Sequence, residues 1–137
     1  VKRFKDFFES QQVLGTVEEV EIDGIGRLSA RIDTGNTGYN VIHADNITPI
    51  KDNKVRFLTV NDKTLVMKIV DTIEILAGEK IHDRYVVHLN MRIGPHFFEN
   101  VPFSLSDRSS NQEKVLIGEP FLKKIDAVVD TNKSKVV

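Results

Sequence analysis

Apolar and polar residues alternate along most of the chain in short β-branched runs, and each run stops at Gly, Pro, Asn or Asp. Alternation of that period and length predicts half-buried strands, and so an all-β domain. Strands are expected over 13–22, 27–32, 39–43, 55–60, 64–75, 81–93, 101–106, 115–117 and 127–130. Asp23-Gly24 marks a hairpin turn, since both residues tolerate positive φ, and Asn61-Asp62-Lys63 marks a second hairpin tip. After the last clear punctuation, Gly118-Glu119-Pro120, a proline can open a short C-terminal helix through 121–125. Phe4, Phe7 and Phe8 fall at helical spacing, which predicts an amphipathic lead-in that packs on the rest of the domain. The expected organisation is therefore a lead-in over 1–12, a domain over 13–131 and a tail over 132–137.

Composition narrows the classes. A chain of 137 residues that is 40% hydrophobic has the size and apolar content of one domain with its own core. Its 19 basic and 20 acidic residues nearly cancel, which gives no overall electrostatic footprint for nucleic acid or an anionic membrane. No apolar run has the length of a membrane span, and the first residues lack a signal-peptide pattern. With no cysteine there is no disulfide framework, thiolate ligand or cysteine nucleophile, which suits a reducing, cytoplasmic setting.

The chemistry concentrates at the end of one strand. In Ile32-Asp33-Thr34-Gly35-Asn36-Thr37 an acid closes an apolar run, where a carboxyl must be paired, hydrogen-bonded or neutralised. Such a triplet is compatible with an ordinary Asx-capped turn. It is also compatible with a working acid, and a second element, Val115-Leu116-Ile117-Gly118, favours that choice. Together the two resemble the retropepsin-like aspartic proteases, in which a strand runs into Asp-Thr-Gly and a later apolar-apolar-Gly element crosses beside that loop. The spacing is longer than in the compact retroviral enzymes. It is similar to a bacterial and phage group labelled ATP-dependent zinc proteases, through Val41-Ile42-His43-Ala44, Ser104-Leu105-Ser106-Asp107-Arg108-Ser109, Leu116-Ile117-Gly118 and Phe121-Leu122.

This resemblance implies an acid-protease closed β-barrel with one short C-terminal helix. It implies Asp33, Thr34 and Gly35 as the catalytic loop, with Thr37, Ile117 and Gly118 in support and Asn61, Asp62 and Lys63 as a flap. An aspartic protease needs two carboxyls sharing one proton around a water. Since the chain has one Asp-Thr-Gly, the site is expected to be completed by a homodimer. Gly35 would let the two loops approach, and the Thr37 hydroxyl could donate to the outer oxygen of Asp33. Two departures stand against the retroviral pattern: Thr37 and Glu119 replace an acid and a base that pair in those enzymes, and the Asn61–Lys63 tip lacks their glycines. A non-catalytic module of the same fold, holding a peptide or an assembly partner, is the competing reading.

Neither zinc nor ATP finds a motif. There is no His-Glu-x-x-His or phosphate-binding loop, and His82 and His88 lie roughly 20 Å apart on a regular strand. His43 and His96 are isolated in sequence and read as surface or hydrogen-bonded histidines. Ser106–Ser110 reads as a polar loop with an Asp–Arg pair, and Asp23-Gly24-Ile25-Gly26 as a turn. The expected ligand is a peptide or protein, with no metal and no cofactor.

Overall fold

In β2 (Val17–Ile22) the inward positions are Glu18, Val20 and Ile22, all buried, while Glu19 and Glu21 face solvent. The alternation thus becomes a strand with one face in the core. The computed structural model describes residues 12–137, so the expected Phe4, Phe7 and Phe8 lead-in lies outside the described residues. A turn carrying Gly24 at φ 83° leads into β3 (Gly26–Asp33), antiparallel to β2. Next come β4 (Asn40–His43), β5 (Asp45–Ile50), β6 (Lys54–Leu58), β7 (Thr64–Lys68), β8 (Asp71–Ala77), β9 (Lys80–Ile93) and β10 (His96–Ser106). The chain then forms β11 (Val115–Gly118), a helix α1 (Glu119–Lys124) and β12 (Ala127–Val129), which pairs in parallel with β1 (Gln12–Leu14).

The main sheet runs β10-β4-β11-β3-β2-β9-β8, and β9 also pairs with β10, so its hydrogen bonding forms a ring with β8 attached. Long β9 makes this possible by pairing with β8 through its first half and with β2 through its last residues. Phe103, Ile42, Met91, Ile93, Leu105 and Ile117 fill the inside. The hairpin β5-β6-β7 forms a separate three-stranded sheet. The described residues are therefore mostly strand, with one short helix that has proline in its first turn, as the sequence predicts.

Several boundaries differ from expectation for local reasons. The run 13–22 breaks at Gly15, where any Cβ would sit 2.5 Å from the Lys133 carbonyl oxygen. The run 64–75 divides where Ile69 and Val70 turn to bond Asn53 and Val86. β10 begins five residues before the expected strand, because Asn100 at φ 53° carries it through a register shift against β9. That Asn100 N–H donates to the Asn90 side chain at 2.9 Å.

The tail over 132–137 is clasped by the domain. Both carboxyl oxygens of Glu18, a fully buried side chain, accept backbone N–H groups: Gly15 at 2.6 Å, Val136 at 2.9 Å and Val137 at 3.1 Å. The Lys133 carbonyl accepts from Thr16, and the Lys135 N–H donates to Val17.

Candidate active site

Strand β3 alternates Ile32 into the core, leaving Arg31 and Asp33 on the other side, so Asp33 reaches the end of the strand half-buried. The chain then turns at once. The Gly35 N–H donates to Asp33 Oδ1 at 2.9 Å, and the Asn36 N–H donates to the Asp33 carbonyl at 3.2 Å. Asp33 is therefore both the Asx cap of a turn and an acid with one oxygen uncommitted: no hydrogen bond among the described residues engages Oδ2. Thr34 and Gly35 are exposed at the tip.

Beside this turn β11 runs parallel to β3, with Ile117 opposite Ile32 and Gly118 opposite Asp33. Ile117 is fully buried and anchors the crossing. Gly118 lies where the loops touch. A Cβ there would come within 2.9 Å of the Asn36 side chain and 3.0 Å of the Gly38 carbonyl, so no larger residue fits without displacing the turn. Gly35 is different: within the single chain an added Cβ would approach only the Asp33 Oδ1, at 3.2 Å. At this site the steric demand for glycine falls on the crossing strand.

Polar residues that the sequence does not announce hold the arrangement. Buried Asn40 accepts the Gly118 N–H at 2.8 Å and donates to the Pro102 carbonyl at 3.4 Å, so one amide joins the turn, β11 and β10. The Asn36 carbonyl accepts the Glu119 N–H at 2.8 Å, tying α1 to the same loop. The Tyr39 hydroxyl donates to Asp71 at the start of β8; this bond, with some burial and the carboxylate's charge, raises the phenol pKa. Thr37 is exposed and, among the described residues, makes no bond to Asp33; it lines a neighbouring cavity instead.

The Asn61, Asp62 and Lys63 flap expectation needs correction. These residues do form the tip between β6 and β7, but the Asn61 side chain donates to the Ile25 carbonyl at 2.6 Å. Ile25 precedes β3 at the end away from Asp33, roughly 26 Å along a regular strand. This tip is pinned to the wrong end of β3 to cover the acid. The hairpin whose base adjoins the Asp33 loop is β8–β9, through Tyr39 and Asp71, and its outer cross-strand pair Leu76 and Ile81 is 70% and 65% exposed.

His43 is not isolated. A backbone N–H can only donate, so the Arg108 N–H at 2.9 Å fixes Nδ1 as an acceptor and leaves Nε2–H to donate to Asp45, also at 2.9 Å. Asp107 completes a close trio. With both ring nitrogens engaged, this trio is a poor fit to a zinc site and acts as a lock on the 106–110 loop. Asp107 and Arg108 do not pair with each other. Asp107 caps Ser109, and the Arg108 guanidinium donates to the Glu113 carbonyl at 3.1 Å. Burial pulls the Arg108 guanidinium below its usual pKa. Arg31 and Arg84 push the same way, and Glu113 and Asp33 oppose them. The loop thus holds a cation within electrostatic reach of Asp33, Arg31 and Arg84.

A family model described as RimB-like, retropepsin-like aspartic endopeptidase RimB, matches residues 13–137. The fold is similar to the crystal structure of Lpg0085, a protein of unknown function (DUF785) from Legionella pneumophila subsp. pneumophila str. Philadelphia 1. The two share 23% identity with a TM-score of 0.76, over 91% of this chain and 97% of that one. No curated protein sequence matches the chain.

Proposed function

Because the chain belongs to the RimB-like family of retropepsin-like aspartic endopeptidases, we propose that it hydrolyses peptide bonds as a homodimer, with a water held between Asp33 and the partner's Asp33. The observation that carries this reading is Asp33 itself, half-buried at a strand end, with one oxygen fixed by Gly35 and the other uncommitted. Two such groups around a two-fold axis share one proton, because like charges a few ångströms apart cannot both ionise. The ionised member takes a proton from the water as it attacks the carbonyl carbon. The protonated member donates to the carbonyl oxygen; as the C–N bond breaks, the proton taken from the water passes to the departing nitrogen and one gem-diol proton returns to the other carboxylate, restoring the shared proton. The ring of strands is read as the retropepsin-like barrel, and exposed Thr34 and Gly35 as the surface that meets the partner's loop. β8–β9 takes the covering role.

The finer likeness to the group labelled ATP-dependent zinc proteases rests on His43-Ala44 and the Ser104–Ser109 stretch. In this chain those residues are read as scaffolding that brings Arg108 toward Asp33. Arg31 pairs with Glu113 at 3.7 Å, which leaves Arg84 and Arg108 as the remaining cations facing Asp33 there, so peptides with carboxylates near the scissile bond are favoured. Arg84→Gln is expected to raise KM for an acidic peptide about fivefold and to leave KM for a neutral one unchanged. Equal effects on both would remove the electrostatic argument.

Dilution tests the shared site. Specific activity is expected to fall in proportion to protein concentration once the dimer dissociates, and a saturating peptide should delay that fall. Sedimentation of the same samples gives the dissociation range. Full specific activity from a monomer would overturn the dimeric dyad.

A further inference from the structure

His43 closes β4 with its side chain buried and both ring nitrogens engaged: Nε2–H donates to Asp45, and Nδ1 accepts the Arg108 N–H, each at 2.9 Å. Only an uncharged ring can accept at Nδ1. The bond therefore requires neutral His43, and it anchors the main chain of the loop that carries Arg108. A proton added to the ring has one place to go, Nδ1, where it meets the Arg108 N–H donor against donor. Its nearest other acceptor is Asp107 Oδ1, 3.7 Å away and held by the Ser109 N–H at 2.8 Å. Taking that oxygen would free two consecutive backbone N–H groups, those of Arg108 and Ser109, and with them the loop.

The charges around the ring favour this exchange. Asp45 faces it from β5 and Asp107 from the loop after β10, while β10 sets uncharged Ser106 opposite it. Lys114 adjoins through its backbone: its carbonyl accepts the His43 N–H at 2.8 Å, and its ammonium donates to the carbonyls of Arg108, Ser109 and Asn111. Glu113 is turned to Arg31 at 3.7 Å. Two carboxylates thus stand ready to neutralise an imidazolium. Its charge stays local, and what changes for a substrate is the position of Arg108.

We propose that His43 is a proton-operated switch on substrate recognition: the neutral ring holds Arg108 toward Asp33, and the protonated ring exchanges the Arg108 N–H for Asp107 and releases the loop. The switch rests on the reading that Arg108 recognises peptide carboxylates. Histidine is the side chain that ordinarily changes charge between about pH 5 and 8, where glutamates of a peptide stay largely ionised. The protein then holds acidic peptides at neutral pH and loses its preference for them on acidification.

Binding is measured with the full Asp33→Asn chain, in which nothing is cut and that acid no longer titrates. Affinity for a glutamate-rich peptide is expected to fall about fivefold from pH 8 to about 5.5, with that for its glutamine counterpart unchanged. Over the same interval the Arg108 amide proton should move upfield as its acceptor is lost. His43→Asn offers the Arg108 N–H an oxygen that takes no proton, so both readouts should stay constant although His82, His88 and His96 are still present. Asp107→Asn keeps an oxygen for the Ser109 N–H, and should move both transitions to lower pH by roughly half a unit. It decides the matter if the His43 variant fails to fold. An Arg108 amide that ignores pH, or transitions that Asp107→Asn leaves in place, would overturn the proposal. Equal affinity for the two peptides throughout would overturn the carboxylate reading, and the switch on recognition with it. A wild-type chain that cuts no peptide would overturn the protease reading alone, since neither readout needs turnover.

Discussion

An Asp33→Asn protein is expected to lose kcat/KM by about 10⁴-fold while keeping its thermal unfolding profile, since removing one member of a catalytic unit removes the unit. The amide retains the shape of the side chain, and its oxygen still accepts the Gly35 N–H that closes the turn. What it lacks is a proton to hold and release. The dyad adds a sharper consequence. When wild type and Asp33→Asn are mixed in equal amounts and allowed to exchange, only the wild-type homodimers keep two carboxyls, roughly a quarter of all dimers. Activity per wild-type chain should therefore fall by about half. Turnover by the variant equal to wild type would transfer the protein to the competing reading, a peptide-holding module of the same fold. Retained activity per wild-type chain in exchanged mixtures would instead place a complete site within one chain.

Glu18→Ala is expected to be the most destabilising single change outside the apolar core, by about 3–5 kcal/mol, a large share of a domain's total stability. Glu18 is fully buried, and no cation pairs with it among the described residues; its oxygens are occupied by the N–H groups of Gly15, Val136 and Val137. Truncation to alanine orphans these donors and opens a void the size of the lost side chain. Glu18→Gln keeps one acceptor and should fall between. Denaturant unfolding gives the stability, and amide exchange at 136 and 137 reports the clasp directly. A Glu18→Ala protein within 1 kcal/mol of wild type, with those amides still protected, would show that the clasp contributes little.

Sequence reading reached what is local. The Asp33 turn was legible because its cap, its hydroxyl and its glycine are consecutive, and α1 because Pro120 sits in its first turn. The same local view misplaced the flap. Asn61 looks like any hairpin tip, and only the bond from its side chain to Ile25 shows which end of the sheet it serves. β5 escaped notice because Pro49, Asn46 and Asp45 look like loop residues, although a hairpin edge tolerates them. Glu18 passed for one more solvent-facing acid in Val17-Glu18-Glu19-Val20, while its partners lie more than a hundred residues away. Asn40 and Arg84 were silent for the same reason. A lone polar side chain carries no signal until the fold supplies its neighbour.

The way the ring is closed also sets an order of assembly. β2–β3 and β9–β10 are hairpins whose strands meet across short turns, so they can form early and independently. The contacts that place Gly118 beside Asp33 are of another kind. They join β3 to β11 in parallel, between segments separated by most of the chain, and β4 to β10 in parallel across nearly half of it. Such pairings wait on the closure of long loops and are intrinsically slow. In a refolding experiment followed by pulsed amide exchange, protection at the Gly118 amide should therefore lag behind protection in the two hairpins. A nascent chain passes through a stage in which it has its turns and its acid but nothing yet crossing beside them. Under the proposed function, cleavage would therefore wait for the last strand pairings, because until then Asp33 lacks the crossing strand that sets its loop.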